Sequence, residues 1–153
     1  MTATESILLQ RKSFFEGTEM VLSGIKPELF SIRPAAEVMT FGEHIDHISE
    51  VEAELLDESA AALNFPKIPF VYKKSSTLVE ALAQWRRIHS LGDEFIGRLK
   101  DSDLDFRFMT VGHFQMSIAG MINTVIEHEV HHRGEIISYF RILGAPPPKR
   151  WRD

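Results

Sequence analysis

Three of the seven histidines in this chain, His128, His131 and His132, fall within five residues, and the chain contains no cysteine. His128 and His132 lie four positions apart, which makes them neighbours on one face of a helix. They continue an apolar stripe from Phe114 to Tyr139, so both imidazoles are expected to point inward. A shared cation would satisfy a ring nitrogen of each. The spacing therefore predicts a metal site, with a hydrogen-bonded pair of core histidines as the alternative.

The same segment matches the H-E-x-x-H pattern of zinc peptidases, with Glu129 in the position of the general base. Such peptidases need a third ligand, which in the common groups follows the second histidine, but no histidine follows His132. Glu135 and Ser138 also stand where the extended pattern requires glycine and histidine. A di-iron site is less consistent still, because it needs two E-x-x-H motifs and the chain has one. A peptidase is therefore kept as the weaker alternative.

A third ligand must come from another helix, and the second predicted helix offers His44 and His47 within a periodic apolar frame. At about 100° per residue, the centre of that apolar stripe lies nearer His44, so periodicity alone favours His44. Glu52 lies on the same stripe and is predicted either to support the metal site or to lie at the rim. His89 and His113 are predicted to be solvated or to cap local structure.

Four segments with helical periodicity are predicted to position these side chains. Thr4 and Thr77 have the character of N-caps, and Gly144 followed by Pro146 is expected to end the last helix. No segment shows sustained alternation typical of a strand; residues 105–111 could pair briefly but have no predicted partner. The sequence therefore predicts an all-α four-helix bundle with long connections. Its helices are expected at residues 5–23, at residues 37–63, from residue 77 onward and at residues 114–143.

Length and composition indicate a single domain spanning residues 1–153, large enough to bury a core without disulfides. The chain has 17 Lys and Arg against 22 Asp and Glu, a formal net charge of −5, which speaks against a nucleic-acid-binding scaffold. No segment resembles a signal peptide, and none is apolar for the roughly 18 residues that a membrane span requires. We therefore expect a cytoplasmic protein with no nucleic-acid or membrane partner.

The motifs resemble those of a known family, the DinB-like (YfiT-type) metal-binding proteins. Residues 128–135, which read HEVHHRGE, are similar to the family signature H-x-x-x-H-H-R-G-Q, with Glu135 in place of the usual glutamine. Residues 39–48 are similar to the helix-two motif of the family, whose register places a histidine at His47. The ending at residues 143–148 is also similar. Gly134 in the signature is expected to allow close approach of a neighbouring helix or a ligand.

This resemblance implies a four-helix bundle, commonly a homodimer, with a metal site formed by His47, His128 and His132. The motif register thus favours His47 where periodicity favours His44, and we follow the register with His44 as the alternative. His131 faces away from the pair and is expected at the surface or behind a ligand. Ni²⁺ and Zn²⁺ are the expected ions, because imidazole suits both. No catalytic residue of the protein itself is identified.

Three neutral histidine ligands would leave at least one coordination position open for water or a small-molecule substrate. Family members of known activity include thiol-dependent transferases and isomerases, which implies a low-molecular-weight thiol as a cosubstrate. The leading hypothesis is therefore a metal-dependent thiol transferase acting on a small electrophile. The alternative is a non-enzymatic metal-binding stress-response module that acts as a dimer.

Overall fold

The computed structural model describes residues 1–148, and four long helices account for most of this part of the chain. Helix α2 (Phe41–Ala62) packs against both α3 (Leu78–Ile96) and α5 (Ile118–Ile142), while α1 (Ala3–Ser23) contacts α5 and, less extensively, α3. A short helix, α4, follows α3, and a two-stranded antiparallel ribbon precedes α5. The all-α bundle is confirmed. Its elements are α1 Ala3–Ser23, α2 Phe41–Ala62, α3 Leu78–Ile96, α4 Asp101–Leu104, β1 Arg107–Met109, β2 Gln115–Ser117 and α5 Ile118–Ile142.

Side-chain caps set the first residue of each long helix. Thr40 accepts from the backbone N–H of Glu43, and the Glu43 carboxylate accepts from the backbone N–H of Thr40, a capping box. Ser117 caps α5 in the same position, and the predicted cap at Thr77 is also present. The predicted cap at Thr4 was wrong, because the capping box of α1 is formed by Thr2. Stable helix starts matter here because α2 and α5 carry the histidines.

Two predicted boundaries were too early. Helix α2 begins at Phe41 rather than at Glu37, which has a positive φ of 65° outside the helix. Helix α5 begins at Ile118 rather than at Phe114, because residues 107–109 pair with residues 115–117 in antiparallel register. Phe114 is consequently exposed and does not belong to the inward stripe. The expectation that residues 105–111 have no partner was therefore wrong.

The core consists of two apolar clusters at different levels of the bundle. On α2, one cluster extends to Ile48 and the other begins at Leu56. On α5, the cluster that contains Leu56 extends to Ile126, and the cluster that contains Ile48 begins at Ile136. The residues between these positions include Glu52, which is fully buried and charged. The buried and half-buried polar side chains at this level and next to it form what we call the polar layer: Arg11, His44, His47, Glu52, His89, His128, Glu129, His132 and Tyr139. No helix within residues 1–148 is long and apolar enough to cross a membrane.

Candidate metal centre

Three histidines from two helices bring their Nε2 atoms together in the polar layer. Nε2 of His128 lies 3.1 Å from Nε2 of His47 on α2 and 3.1 Å from Nε2 of His132, one turn further along α5. Each of the three residues offers a ring nitrogen within 4.8 Å of the others. The structure therefore brings together the three histidines that the family resemblance implied.

The spacing of these nitrogens suits a shared cation. Ligands at about 2.0–2.1 Å from one ion lie about 2.9 Å apart at right angles and about 3.4 Å apart in a tetrahedron. The observed 3.1 Å separations of His128 from His47 and from His132 fall between these values. A proton shared with Nε2 of His128 can join it to His47 or to His132 but not to both, so hydrogen bonding alone does not account for the two contacts. The donor set thus fits a divalent ion, and the group could hold one.

Burial keeps His128 and His132 uncharged, which leaves ring nitrogens free to bind a cation. Desolvation, reinforced by the neighbouring His132 and His47, lowers the pKa of His128 to about 4. Desolvation also lowers the pKa of His132, although Glu135 opposes the shift. Both imidazoles are therefore neutral near pH 7, the form that ligates metals.

The second nitrogen of His132 faces a different set of partners. Its Nδ1 lies 2.6 Å from Oε2 of Glu135 and 3.1 Å from Nδ1 of His44. His44 is buried, and its Nε2 lies 2.9 Å from the hydroxyl of Tyr139. Desolvation and the neighbouring His132 lower the pKa of His44 to about 4, so this imidazole is neutral as well. A polar chain therefore leads from His132 to Tyr139.

His44, His132 and Glu135 also lie close enough to form a second candidate group for an ion. The 2.6 Å separation of His132 Nδ1 from the Glu135 carboxylate is, however, a charge-assisted hydrogen bond in length. It is shorter than the roughly 2.9 Å that two ligands of one ion at right angles would show. The geometry at this group favours a hydrogen bond over a shared cation.

A third group, Glu52, His89 and Glu129, lies fully buried between α2, α3 and α5. Arg11 of α1 already supplies a cation there. Its Nη2 lies 2.6 Å from Oε1 of Glu52 and 3.2 Å from Nδ1 of His89, and its Nε lies 2.7 Å from Asp93. Burial would raise the pKa of Glu52, but Arg11 and His89 lower it to about 2. This group is therefore a buried ion-pair cluster with its own internal cation.

Glu129, the residue in the peptidase general-base position, points into that ion-pair cluster. Its Oε1 accepts a hydrogen bond of 2.6 Å from the hydroxyl of Thr18. Burial raises the pKa of this carboxyl, since Thr18 only partly offsets the loss of solvent. This carboxyl is hydrogen-bonded to Thr18 of α1, and there it is badly placed to act on a water bound at His128 and His132. The geometry therefore gives no support to the peptidase alternative.

The remaining histidines separate clearly by position. His131 is exposed, with Nε2 3.6 Å from Oε1 of Glu135, and His113 is exposed at the ribbon turn. The prediction for His89 was wrong, because it is buried and stacks on Phe15 with ring centroids 4.3 Å apart. The expected close approach of a neighbouring helix at Gly134 was also wrong, because no atom of another helix lies within 4 Å of the Cβ position there.

Sequence reasoning missed two polar residues of the layer. Arg11 is 2% exposed and Tyr139 is 7% exposed, and both were hidden within apolar stripes. An arginine at an inward helical position was an available signal, because a buried charge requires a partner elsewhere in the fold. Glu52 proved to be that partner rather than a support of the histidine group or a rim residue.

A surface cavity on the α2 side reaches the histidine group at His47. The cavity has a volume of about 450 Å³, and His47 forms part of its lining. Arg33, Glu50, Tyr72 and Lys74 line it as well, so its walls carry charges of both signs. A larger cavity of about 870 Å³ lies between α1 and α3 and is not lined by any of the three histidines.

The fold and its histidine groups define a class of proteins: all-α bundles with a candidate metal site between two helices. Residues 15–136 match the sequence profile of the DinB superfamily, and the chain belongs to that superfamily. The profile match spans α2, α3 and most of α5, and therefore includes His47, His128 and His132.

Solved structures agree with this assignment at the level of the fold. A DinB-like protein from Bacillus cereus ATCC 10987 gives a TM-score of 0.80 at 20% identity, over 96% of this chain and 97% of that chain. A DinB-like protein from Bacillus subtilis gives a TM-score of 0.74 at 16% identity, over 95% of this chain and 96% of that chain. No curated protein matches the chain.

Proposed function

We propose that this protein binds one divalent metal ion through His47, His128 and His132 and acts as a metal-dependent enzyme on a small electrophilic substrate. The observation that carries the proposal is the approach of three Nε2 atoms from two helices, with separations of 3.1 Å at His128. Three neutral ligands leave at least one coordination position open, as in catalytic rather than structural sites. Ni²⁺ or Zn²⁺ is the proposed ion, because imidazole ligands suit both.

In the proposed reaction a low-molecular-weight thiol loses its proton to solvent, and its sulfur displaces the leaving group of the electrophile, which departs with the electron pair of the broken bond. A bound divalent ion would favour the thiolate over the thiol and so supply the nucleophile at neutral pH. The chain contains no cysteine, so a thiol nucleophile must arrive with the cosubstrate. The cavity beside His47 provides the space for it, and Arg33, Lys74 and Glu50 offer charged groups that could orient a polar thiol.

Metal content tests the first half of the proposal. We expect about one divalent ion per chain in protein purified without chelator, measured by plasma mass spectrometry. His47→Ala, His128→Ala and His132→Ala should each lose it. His131→Ala is the matched control, because this histidine lies on the same helix but is exposed. Full metal content in the three variants would contradict the assignment.

Turnover tests the second half. Wild-type protein loaded with Ni²⁺ or Zn²⁺ should consume a small alkylating electrophile in the presence of a cellular thiol, faster than the thiol alone, and His128→Ala should not. Tight metal binding with no turnover for any combination of ion and thiol would instead support a metal-binding module. A homodimer is proposed as well, and sedimentation analysis would test it.

A further inference from the structure

We propose that Glu135 is a positioning residue for the metal site, holding His132 in the one tautomer that turns its Nε2 lone pair toward His47 and His128. This inference rests on the proposed function. It concerns a residue that departs from the family signature, where a glutamine is usual. The positioning role of Glu135 depends on the hydrogen bonds around His132 and not on the identity of the ion.

The tautomer follows from what each partner of His132 can donate. Oε2 of Glu135 lies 2.6 Å from Nδ1 of His132, and a carboxylate only accepts hydrogen bonds. Nδ1 of His132 therefore carries the proton. In a neutral imidazole the other nitrogen is then unprotonated, so Nε2 of His132 presents a lone pair. That lone pair faces Nε2 of His128 at 3.1 Å.

His44 and Tyr139 are arranged consistently with this tautomer. Nδ1 of His44 lies 3.1 Å from the same protonated Nδ1 of His132, whose one hydrogen is directed to the nearer Glu135 at 2.6 Å, so His44 can share that hydrogen only as a second, weaker acceptor. Nε2 of neutral His44 then carries the proton and donates to the hydroxyl oxygen of Tyr139 at 2.9 Å. The opposite tautomer of His132 would place a lone pair against the Glu135 carboxylate.

The charge of Glu135 matters in addition to its position. The three proposed ligands are all neutral imidazoles, so none of them compensates the charge of a divalent ion. The Glu135 carboxylate contacts the proposed ligand His132. Its side chain is 41% exposed, so it remains accessible to solvent while making this contact. A carboxylate in this position raises the basicity of the histidine ligand, which a neutral glutamine does less well. The negative charge near the ion and the greater basicity of His132 both strengthen metal binding.

The test compares Glu135→Ala and Glu135→Gln with wild-type protein in two measurements. The ¹⁵N shifts of the His132 imidazole in metal-free protein report the tautomer, and competition titration with Co²⁺ reports affinity. We expect a protonated Nδ1 in wild type and a mixture of tautomers in Glu135→Ala. We expect Co²⁺ to bind Glu135→Ala about 10–100-fold more weakly, with Glu135→Gln between the two because its amide oxygen still accepts.

Glu127→Gln is the matched control, because Glu127 is an exposed carboxylate on the same helix. It should bind Co²⁺ like wild type and show the same visible absorption spectrum. An unchanged His132 tautomer and Co²⁺ affinity within about twofold of wild type in Glu135→Ala would overturn the role of Glu135, as would an equal loss in Glu127→Gln. Failure of wild-type protein to bind Co²⁺ would overturn the proposed function instead.

Discussion

The Nε2 atoms of His47 and His128 lie 3.1 Å apart, although 81 residues separate them in the chain. His44 lies one turn earlier on α2 and is more deeply buried than His47. Its Nδ1 contacts Nδ1 of His132, the ring nitrogen that does not face His128. The two histidines of α2 therefore approach different imidazoles of α5, His47 that of His128 and His44 the Nδ1 side of His132. Their roles are predicted to differ accordingly.

We predict that His47→Ala abolishes binding of the ion and that His44→Ala weakens it without changing the stoichiometry. His47 contributes an Nε2 atom to the cluster, whereas His44 reaches only the Nδ1 side of His132. Isothermal titration with Zn²⁺ would separate the two, since it reports both the number of sites and the affinity. Loss of the site in His44→Ala with retention in His47→Ala would show that periodicity, and not motif register, identifies the ligand.

Glu129→Gln is predicted to bind the ion as wild type does. The carboxyl group of Glu129 accepts from Thr18 within the buried ion-pair cluster and contacts neither His47 nor His132. Glutamine preserves its shape and can still accept that hydrogen bond. Metal content and thermal unfolding would be measured in parallel. A variant that folds but carries no metal would show that Glu129 contributes to the metal site and would support the peptidase interpretation.

Glu52→Gln is predicted to destabilise the protein by about 3–5 kcal/mol near pH 7, because it leaves buried Arg11 with less negative charge. The pKa of Glu52 is lowered to about 2 in the folded protein, from an ordinary value of 4.5. Its contribution to stability is thus complete above pH 4.5 and is lost as the pH falls toward 2.

The difference between wild type and Glu52→Gln should therefore shrink in acid. Urea unfolding at pH 7 and at pH 3.5 measures both free energies of unfolding. Glu50→Gln is the control, since Glu50 lies on the same helix and has no partner of this kind among the described contacts. A difference that stays constant or grows on acidification would contradict the Arg11 pairing.

Gly134→Ala is predicted to stabilise the metal-free protein by about 0.5–1 kcal/mol, the usual gain from replacing a mid-helix glycine. No atom outside its own turn of helix lies within 4 Å of the Cβ position at Gly134. Gly17 provides the contrast, because a Cβ there would lie 2.7 Å from Nη1 of Arg133. That nitrogen donates to the carbonyl of Phe14. Thermal unfolding should show a gain for Gly134→Ala and a smaller gain or a loss for Gly17→Ala.

The fold was largely predictable from the sequence because it depends on local patterns. Periodicity and caps such as Thr77 identified the four long helices, and the i, i+4 spacing of His128 and His132 placed both on one face. A brief pairing of residues 105–111 was considered, but its partner strand, Gln115–Ser117, was missed, since each strand has three residues and shows no alternation long enough to detect. Local signals of that length carry little information about pairing.

The partners of the site residues were less predictable because they depend on tertiary packing. Periodicity correctly placed His44 deeper than His47, but depth does not decide which nitrogen faces α5. The pairing of Arg11 with Glu52 joins residues 41 positions apart and required the structure. The contact between Glu135 and His132, by contrast, spans three residues and follows from helical spacing.

The position of the ion in a crystal grown with Zn²⁺ or Ni²⁺ tests the central claim most directly. An anomalous difference map collected at the absorption edge of the metal locates it without assumptions about ligands. We predict one peak per chain at about 2.0–2.1 Å from the Nε2 atoms of His47, His128 and His132. A peak between His44 and Glu135, or within the cluster around Arg11, would contradict the claim.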